Sequence, residues 1–317
     1  MKKLSTFAYF GVALCLVLPG CSKKDNGGST STGTGPAVDL KLKWTVGKKY
    51  LEHMEMNQDN KMNAAGRPME QTMTMGSDYS ISAQKELPGG GCQLDMEFVG
   101  QKIQSAMGGQ TMASFDSSTD PANDGKNPIA PMFRKIIGLH VQYETDASGH
   151  VQKVDGVDEL VERMGGNTPQ GAMVKSMLNE QTLKQYADFG RGLPDHPVRT
   201  GDTWPMNVEI PMGQIGTLVI NLTYTFTGWD DHDGRKCAKL DYSGTVKSKP
   251  GAAPATFALD SGKMTGTTWF DSDAGVVVEN TSTQNMNMKV TPTPNQVINS
   301  VIAQTTDLKL TDVVDIK

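Results

Sequence analysis

Aromatic side chains are scarce in this chain: Phe, Trp and Tyr make up 6% of 317 residues. Cysteine is scarcer, with four residues. A core must therefore come from aliphatic side chains and from methionine, of which there are 19. Charge is modest, with 30 Lys and Arg against 35 Asp and Glu and a net charge of −5. That balance supplies no basic face, so no nucleic acid partner is expected. After Leu18 no stretch reaches the roughly 20 apolar residues of a spanning helix. Local catalytic signatures are missing as well: no Gly-x-Ser-x-Gly elbow, no His-Glu-x-x-His and no phosphate loop. His53, His140, His150, His196 and His232 are scattered, none at ligand spacing. Gly89-Gly90-Gly91 and Gly165-Gly166 lack a strand-then-helix setting and read as turns. The chain is expected to be no enzyme and to need no cofactor or metal.

What is present begins at the N-terminus. Lys2 and Lys3 precede an apolar run from Phe7 to Leu18, and Pro19-Gly20 breaks it before Cys21. Leu18-Pro19-Gly20-Cys21 resembles the lipobox of bacterial lipoproteins. That resemblance implies cleavage after Gly20 and acylation of Cys21, palmitate included. Several acyl chains hold a protein to a membrane far better than one. Ser22 stands where an Asp would imply retention at the inner membrane, so the outer membrane is the expected address, with the protein facing the periplasm. Residues 22–37 hold no large apolar group and read as a flexible tether. The expected organisation is a signal peptide over 1–20, lipidated Cys and tether over 21–38, and a β-rich domain over 39–317. Loss of the signal removes two lysines, and the net charge moves from −5 to −7.

Alternation dominates the remainder. Leu218, Ile220, Leu222, Tyr224 and Phe226 share one face of a strand, with Asn221, Thr223 and Thr225 opposite. The same rule groups Met73, Met75, Tyr79, Ile81 and Ala83; Cys92, Leu94, Met96 and Phe98; Ala238, Leu240 and Tyr242; and Met206, Val208, Ile210 and Met212. The acidic turns at 230–234 and 271–275 lack the closing Glu of a calcium loop and read as hairpins. Helical spacing marks Val157, Leu160, Val161 and Met164, and a second helix from about Thr168 to Asp188; 128–139 is a weaker third. Four landmarks recur in order: Gly47–Tyr50 with Gly201–Trp204, Tyr79 with Tyr224, Leu94 with Leu240, and Phe115 with Phe270. They point to two related units near 44–118 and 198–290, with a helical insertion over 128–190. The expected fold is α+β and mostly antiparallel, with curved or sandwiched sheets and helices covering one face. Cys92 and Cys237 can form a disulfide or remain two buried thiols; the sequence leaves both open.

Val46-Gly47-Lys48-Lys49-Tyr50, Gly149-His150-Val151 with Val154-Asp155-Gly156-Val157, and Pro197–Trp204 resemble a family of bacterial envelope lipoproteins defined only by a domain of unknown function. A looser likeness is to half-barrels of the LolA/LolB type, whose concave face holds acyl chains under a helical lid. That likeness implies an apolar groove, for which Met73, Met75, Tyr79, Met96, Phe98, Leu222, Tyr224 and Phe226 are the candidates. Methionine suits such a surface because its thioether chain adapts to varied ligands. The expected function is non-catalytic binding of an apolar ligand such as a lipid by a membrane-tethered protein. The alternative is a structural module that meets an envelope protein partner.

Overall fold

Two-residue periodicity runs through most of the chain, and it produces strands of up to 20 residues. The computed structural model describes residues 33–316, apart from 65, 126, 128, 164–179, 181–182, 185–186, 212–215, 250, 252–256 and 294–295. In chain order the strands are β1 (Thr34–Val38), β2 (Lys48–Ala64), β3 (Arg67–Glu86), β4 (Cys92–Met107), β5 (Gln110–Asp116), β6 (His140–Thr145), β7 (Val151–Asp155), β8 (Val198–Thr200), β9 (Thr203–Pro211), β10 (Thr217–His232), β11 (Arg235–Ser248), β12 (Phe257–Asp271), β13 (Val276–Thr293) and β14 (Gln296–Asp315). Two short helices, α1 (Ala130–Ile136) and α2 (Val157–Arg163), lie between them. The fold is mostly antiparallel β with few helices, as alternation predicts.

One 12-stranded sheet runs β7-β6-β4-β3-β2-β14-β13-β12-β11-β10-β9, with β5 also paired to β4. It is not closed into a barrel: β7 and β9 are the two edges of that path. β1 and β8 form a separate two-stranded sheet. The recurring landmarks fall on successive strands of each half. Tyr50 and Trp204 begin β2 and β9, Tyr79 and Tyr224 lie on β3 and β10, Leu94 and Leu240 on β4 and β11, and Phe115 and Phe270 on β5 and β12. Gly47 and Gly201 hold φ of 86° and 96° in the turns just before β2 and β9, a conformation that favours glycine.

Two packed clusters fill the inner face. One gathers Val208, Ile220, Leu222, Tyr224, Phe226, Leu240 and Phe270 with others from β9 to β14. In its strands glycines stand opposite large residues. Gly266 faces Tyr242, Gly262 faces Met286 and Gly244 faces Met264. A Cβ on Gly266 would lie 2.3 Å from the Tyr242 ring, so only glycine lets that ring lie flat across the neighbouring strand. The second cluster joins Tyr50, Ile81, Leu94, Val141 and Tyr143 to Ile136 at the end of α1, Leu160 of α2 and Leu183. Burial of Leu160 and Val161 on α2 follows the spacing that predicts this helix. The longer helix expected over 169–188 lies largely outside the described residues. Arg134 fastens α1: it donates to Asp124 at 2.9 and 3.0 Å and to the Ser117 and Thr119 carbonyls, and it covers the Phe115 ring.

Candidate binding face

Antiparallel partners share a face, so the strand register fixes which side chains point inward together. One inward row runs Met206, Leu222, Gly244, Met264, Gln284, Gln304, Gln58, Met73 and Ser105 across nine strands, β9 to β4. A second runs Trp204, Tyr224, Tyr242, Gly266, Ser282, Thr306, Met56, Met75 and Ile103. Both rows change character along their length. They are apolar on β9 to β12, polar on β13 and β14, mixed on β2, and methionine-bearing on β3.

The eight residues expected to line one groove divide accordingly. Leu222, Tyr224 and Phe226 are fully packed in the first cluster, with Trp204 and Tyr242 ring-stacked on either side of Tyr224. For these three the groove expectation is corrected: they pack with Trp204, Leu240, Tyr242 and Phe270 as core. Met73, Met75, Tyr79, Met96 and Phe98 instead stay partly exposed on the inner face of β3 and β4. The Tyr79 and Phe98 rings meet edge-on at 5.6 Å. Tyr79, Met96 and Phe98 form one apolar patch and Met73 and Met75 another, with the hydrogen-bonded Ser77 and Gln101 between them. Cys21 lies outside the described residues. Cys92 and Cys237 are free buried thiols, which corrects the disulfide option. They stand on β4 and β11, six strands apart in the sheet. Burial raises both thiols, that of Cys237 to about 11.

On the inner face of β13, β14, β2, β3 and β4 lies a polar floor that alternation alone does not flag. Gln58, Asn60, Gln71, Ser77, Gln101, Ser282, Gln284, Ser300, Gln304 and Thr306 are all buried there. Most have local partners. Ser300 donates to Asn60, Ser77 donates to Gln101 at 2.9 Å, and Gln101 donates to the Gly76 carbonyl at 3.0 Å. Three glutamines differ. Gln284, Gln304 and Gln58 stand directly opposite one another on β13, β14 and β2, with 0%, 1% and 4% of their surface exposed. Both amide atoms of Gln284, and the carbonyl oxygens of Gln304 and Gln58, find no partner among the described residues. A buried polar group left without a partner costs about 1–3 kcal/mol. The sequence signal for this floor is Gln58-Asp59-Asn60, where the inward positions of β2 turn polar after Met54 and Met56.

Glu52 is the one acidic or basic residue among inner-face positions 50–62 of β2, 71–83 of β3, 280–290 of β13 and 300–310 of β14. It sits between Tyr79 and Leu310, and burial pushes its carboxyl up to about 7. The outer face of the same strands carries His53, Glu55, Asp59, Lys61, Lys289 and Lys309.

All five histidines pair with carboxylates: His53 with Asp78, His140 with Asp95, His150 with Asp188, His196 with Asp195 and His232 with Glu279. Asp188 is fully buried, and its hydrogen bond holds His150 above the usual histidine range. His232, Asp233 and Glu279 come close enough to hold a cation. The Lys309 ammonium already stands there, 2.6 Å from Asp233 and 3.6 Å from Glu279. At the second acidic turn, Asp271 accepts from the Asp273 and Ala274 amides and meets Arg235 at 3.3 Å.

The segments that carry the family resemblance are structural joints. Gly149 holds φ of 83°, and a Cβ there would meet Leu42 at 2.5 Å. Asp202 accepts from the amides of Gly33 and Arg199, both at 2.8 Å, closing the turn before β9. Trp204 donates to the Gly192 carbonyl at 3.0 Å.

A family model covers residues 89–277, from the turn before β4 into β13. The chain belongs to DUF6263, a family of unknown function. No curated protein matches it. Among solved structures, a lipovitellin structure on lipid–protein interactions is 10% identical, with a TM-score of 0.49, over 87% of this chain and 26% of its own. The DUF6263 chain thus spans a minor part of lipovitellin's length. A Bacteroides fragilis protein with a YmcC-like fold is 10% identical over 84% of this chain and 98% of its own, with a TM-score of 0.22. DynF, from the dynemicin pathway of Micromonospora chersina, is 6% identical over 92% of each chain, with a TM-score of 0.24. At such scores these likenesses say nothing of what the chain binds.

Proposed function

We propose that this protein is an envelope lipoprotein, acylated at Cys21 and held at the outer membrane facing the periplasm. Its inner sheet face binds an amphiphilic ligand without transforming it. One observation carries the binding: Met73, Met75, Tyr79, Met96 and Phe98 remain partly exposed on the inner face of β3 and β4. Apolar side chains on two neighbouring strands, with Met73 and Met75 on one side of Ser77, and Tyr79, Met96 and Phe98 on the other, suit an acyl chain better than water. The order of Lys2-Lys3, the apolar run and Cys21 supports the anchor.

A protein partner added along a sheet edge is the weaker reading. β7 is five residues long, and β9 carries Pro205, Glu209 and Pro211, devices that blunt an edge. Two measurements test the proposal. Radiolabelled palmitate is expected to enter the wild type and not Cys21→Ala, and native mass spectrometry of gently extracted protein is expected to find a bound amphiphile. An unlabelled wild type defeats the anchor, and a protein that carries no amphiphile and shifts no fatty-acid probe defeats the binding.

A further inference from the structure

Three glutamines with unpartnered amide atoms bear on which amphiphile the face can hold, given that it holds one. Gln284, Gln304 and Gln58 form a ladder across three adjacent strands, about 10 Å from end to end at the usual strand spacing. The next inward position on β2, Met56, faces Met75, and Gln58 itself faces Met73, so the ladder ends on the two methionines of β3. The row on one side holds Ser282 and Thr306, and Thr306 accepts from the Gln304 amide at 3.3 Å; the row on the other side holds Asn60, which accepts from Ser300. On β2, β13 and β14 the side-chain atoms left without a partner among the described residues thus fall in one row, at its junction with the partly exposed methionines.

We infer that this ladder is the seat of an uncharged, hydrogen-bonding head group, such as a glycerol ester, whose chain lies along Met73, Met75 and Phe98. An amide offers both a donor and an acceptor, and Gln284 has both unpartnered among the described residues. A hydroxyl and an ester carbonyl would answer both. An anionic head would be brought against buried amides with no Lys or Arg on this stretch of the inner face, a costly burial without a counter-charge. Glu52, the acid on the inner face of β2, lies three inward positions from Gln58 and supplies no counter-charge to an anion.

The test uses the full-length protein, extracted from membranes and exchanged into amphipol, with 1-monooleoylglycerol and oleate as probes of equal chain length. The expected result is at least tenfold tighter binding of the monoglyceride. Gln284→Leu should abolish that selectivity while melting at a higher temperature than the wild type, because it removes an unpaired buried amide. Equal binding of both probes overturns the head-group assignment and leaves the amphiphile reading intact. Binding of neither probe overturns that reading along with this one. A Gln284→Leu protein that melts lower or does not fold shows the amide to be structural and overturns the assignment by itself.

Discussion

Glu52 puts a titrating group on a face that is otherwise neutral. Its carboxyl is raised from an ordinary 4.5 to about 7 by burial. Between those values the folded chain keeps a proton that the unfolded chain has released. Stability therefore falls as pH rises through that window and levels off above it. Glu52→Gln should remove this decline and stabilise the protein at pH 8 by about 1–2 kcal/mol, less than a full 1.4 kcal/mol per unit because the residue keeps some exposure. Urea midpoints of both proteins between pH 4.5 and 8 check it, and parallel curves would count against it. His150 contributes a separate decline that begins higher, above the ordinary 6.5, since Asp188 raises it. The difference between variant and wild type isolates Glu52 from that slope.

At the scale of elements, close packing of the strands rests on a few glycines. On Gly266 a Cβ would sit 2.2 Å from the Thr281 carbonyl oxygen and 2.3 Å from the Tyr242 ring. Gly266→Ala should cost about 2–4 kcal/mol, as overpacking against backbone does, measured by chemical denaturation. A cost below about 0.5 kcal/mol, the level of an ordinary surface change, would show that β12 and β13 part freely. These glycines also explain what alternation could not decide. The Leu222, Tyr224 and Phe226 stripe was readable as a strand face, because side-chain alternation is local. Whether that face is core or groove depends on what packs against it, and the close approach that Gly244, Gly262 and Gly266 allow lies twenty to forty residues downstream. α2 was legible from Val157, Leu160 and Val161 for the same local reason. The glutamine floor was not, because polar residues on both faces of β2 resemble an exposed strand tip. Pairing of Cys92 with Cys237 was undecidable without strand order, which places them on β4 and β11.

Over the whole molecule, the longest-range pairing joins the two halves. β14 pairs with β2 from Asp315 opposite Lys48 to Ile298 opposite Ala64, and on its other side with β13. Removing residues 294–317 should therefore separate two partial sheets and abolish the single cooperative unfolding transition. Circular dichroism against urea checks this, and a truncated chain that still unfolds in one sharp step would mean that each half stands alone. No local pattern announces this pairing, since the partners are some 250 residues apart.

That seam also sets an order of events. A ribosome or a secretion pore delivers β2 well before β14, so a seventeen-residue ribbon edge waits bare until β14 emerges. For that interval the nascent chain is a template for any other strand nearby. Its safe delivery calls for a holding chaperone or for fast synthesis up to β14, and slowing translation across 296–315 should raise the aggregated fraction.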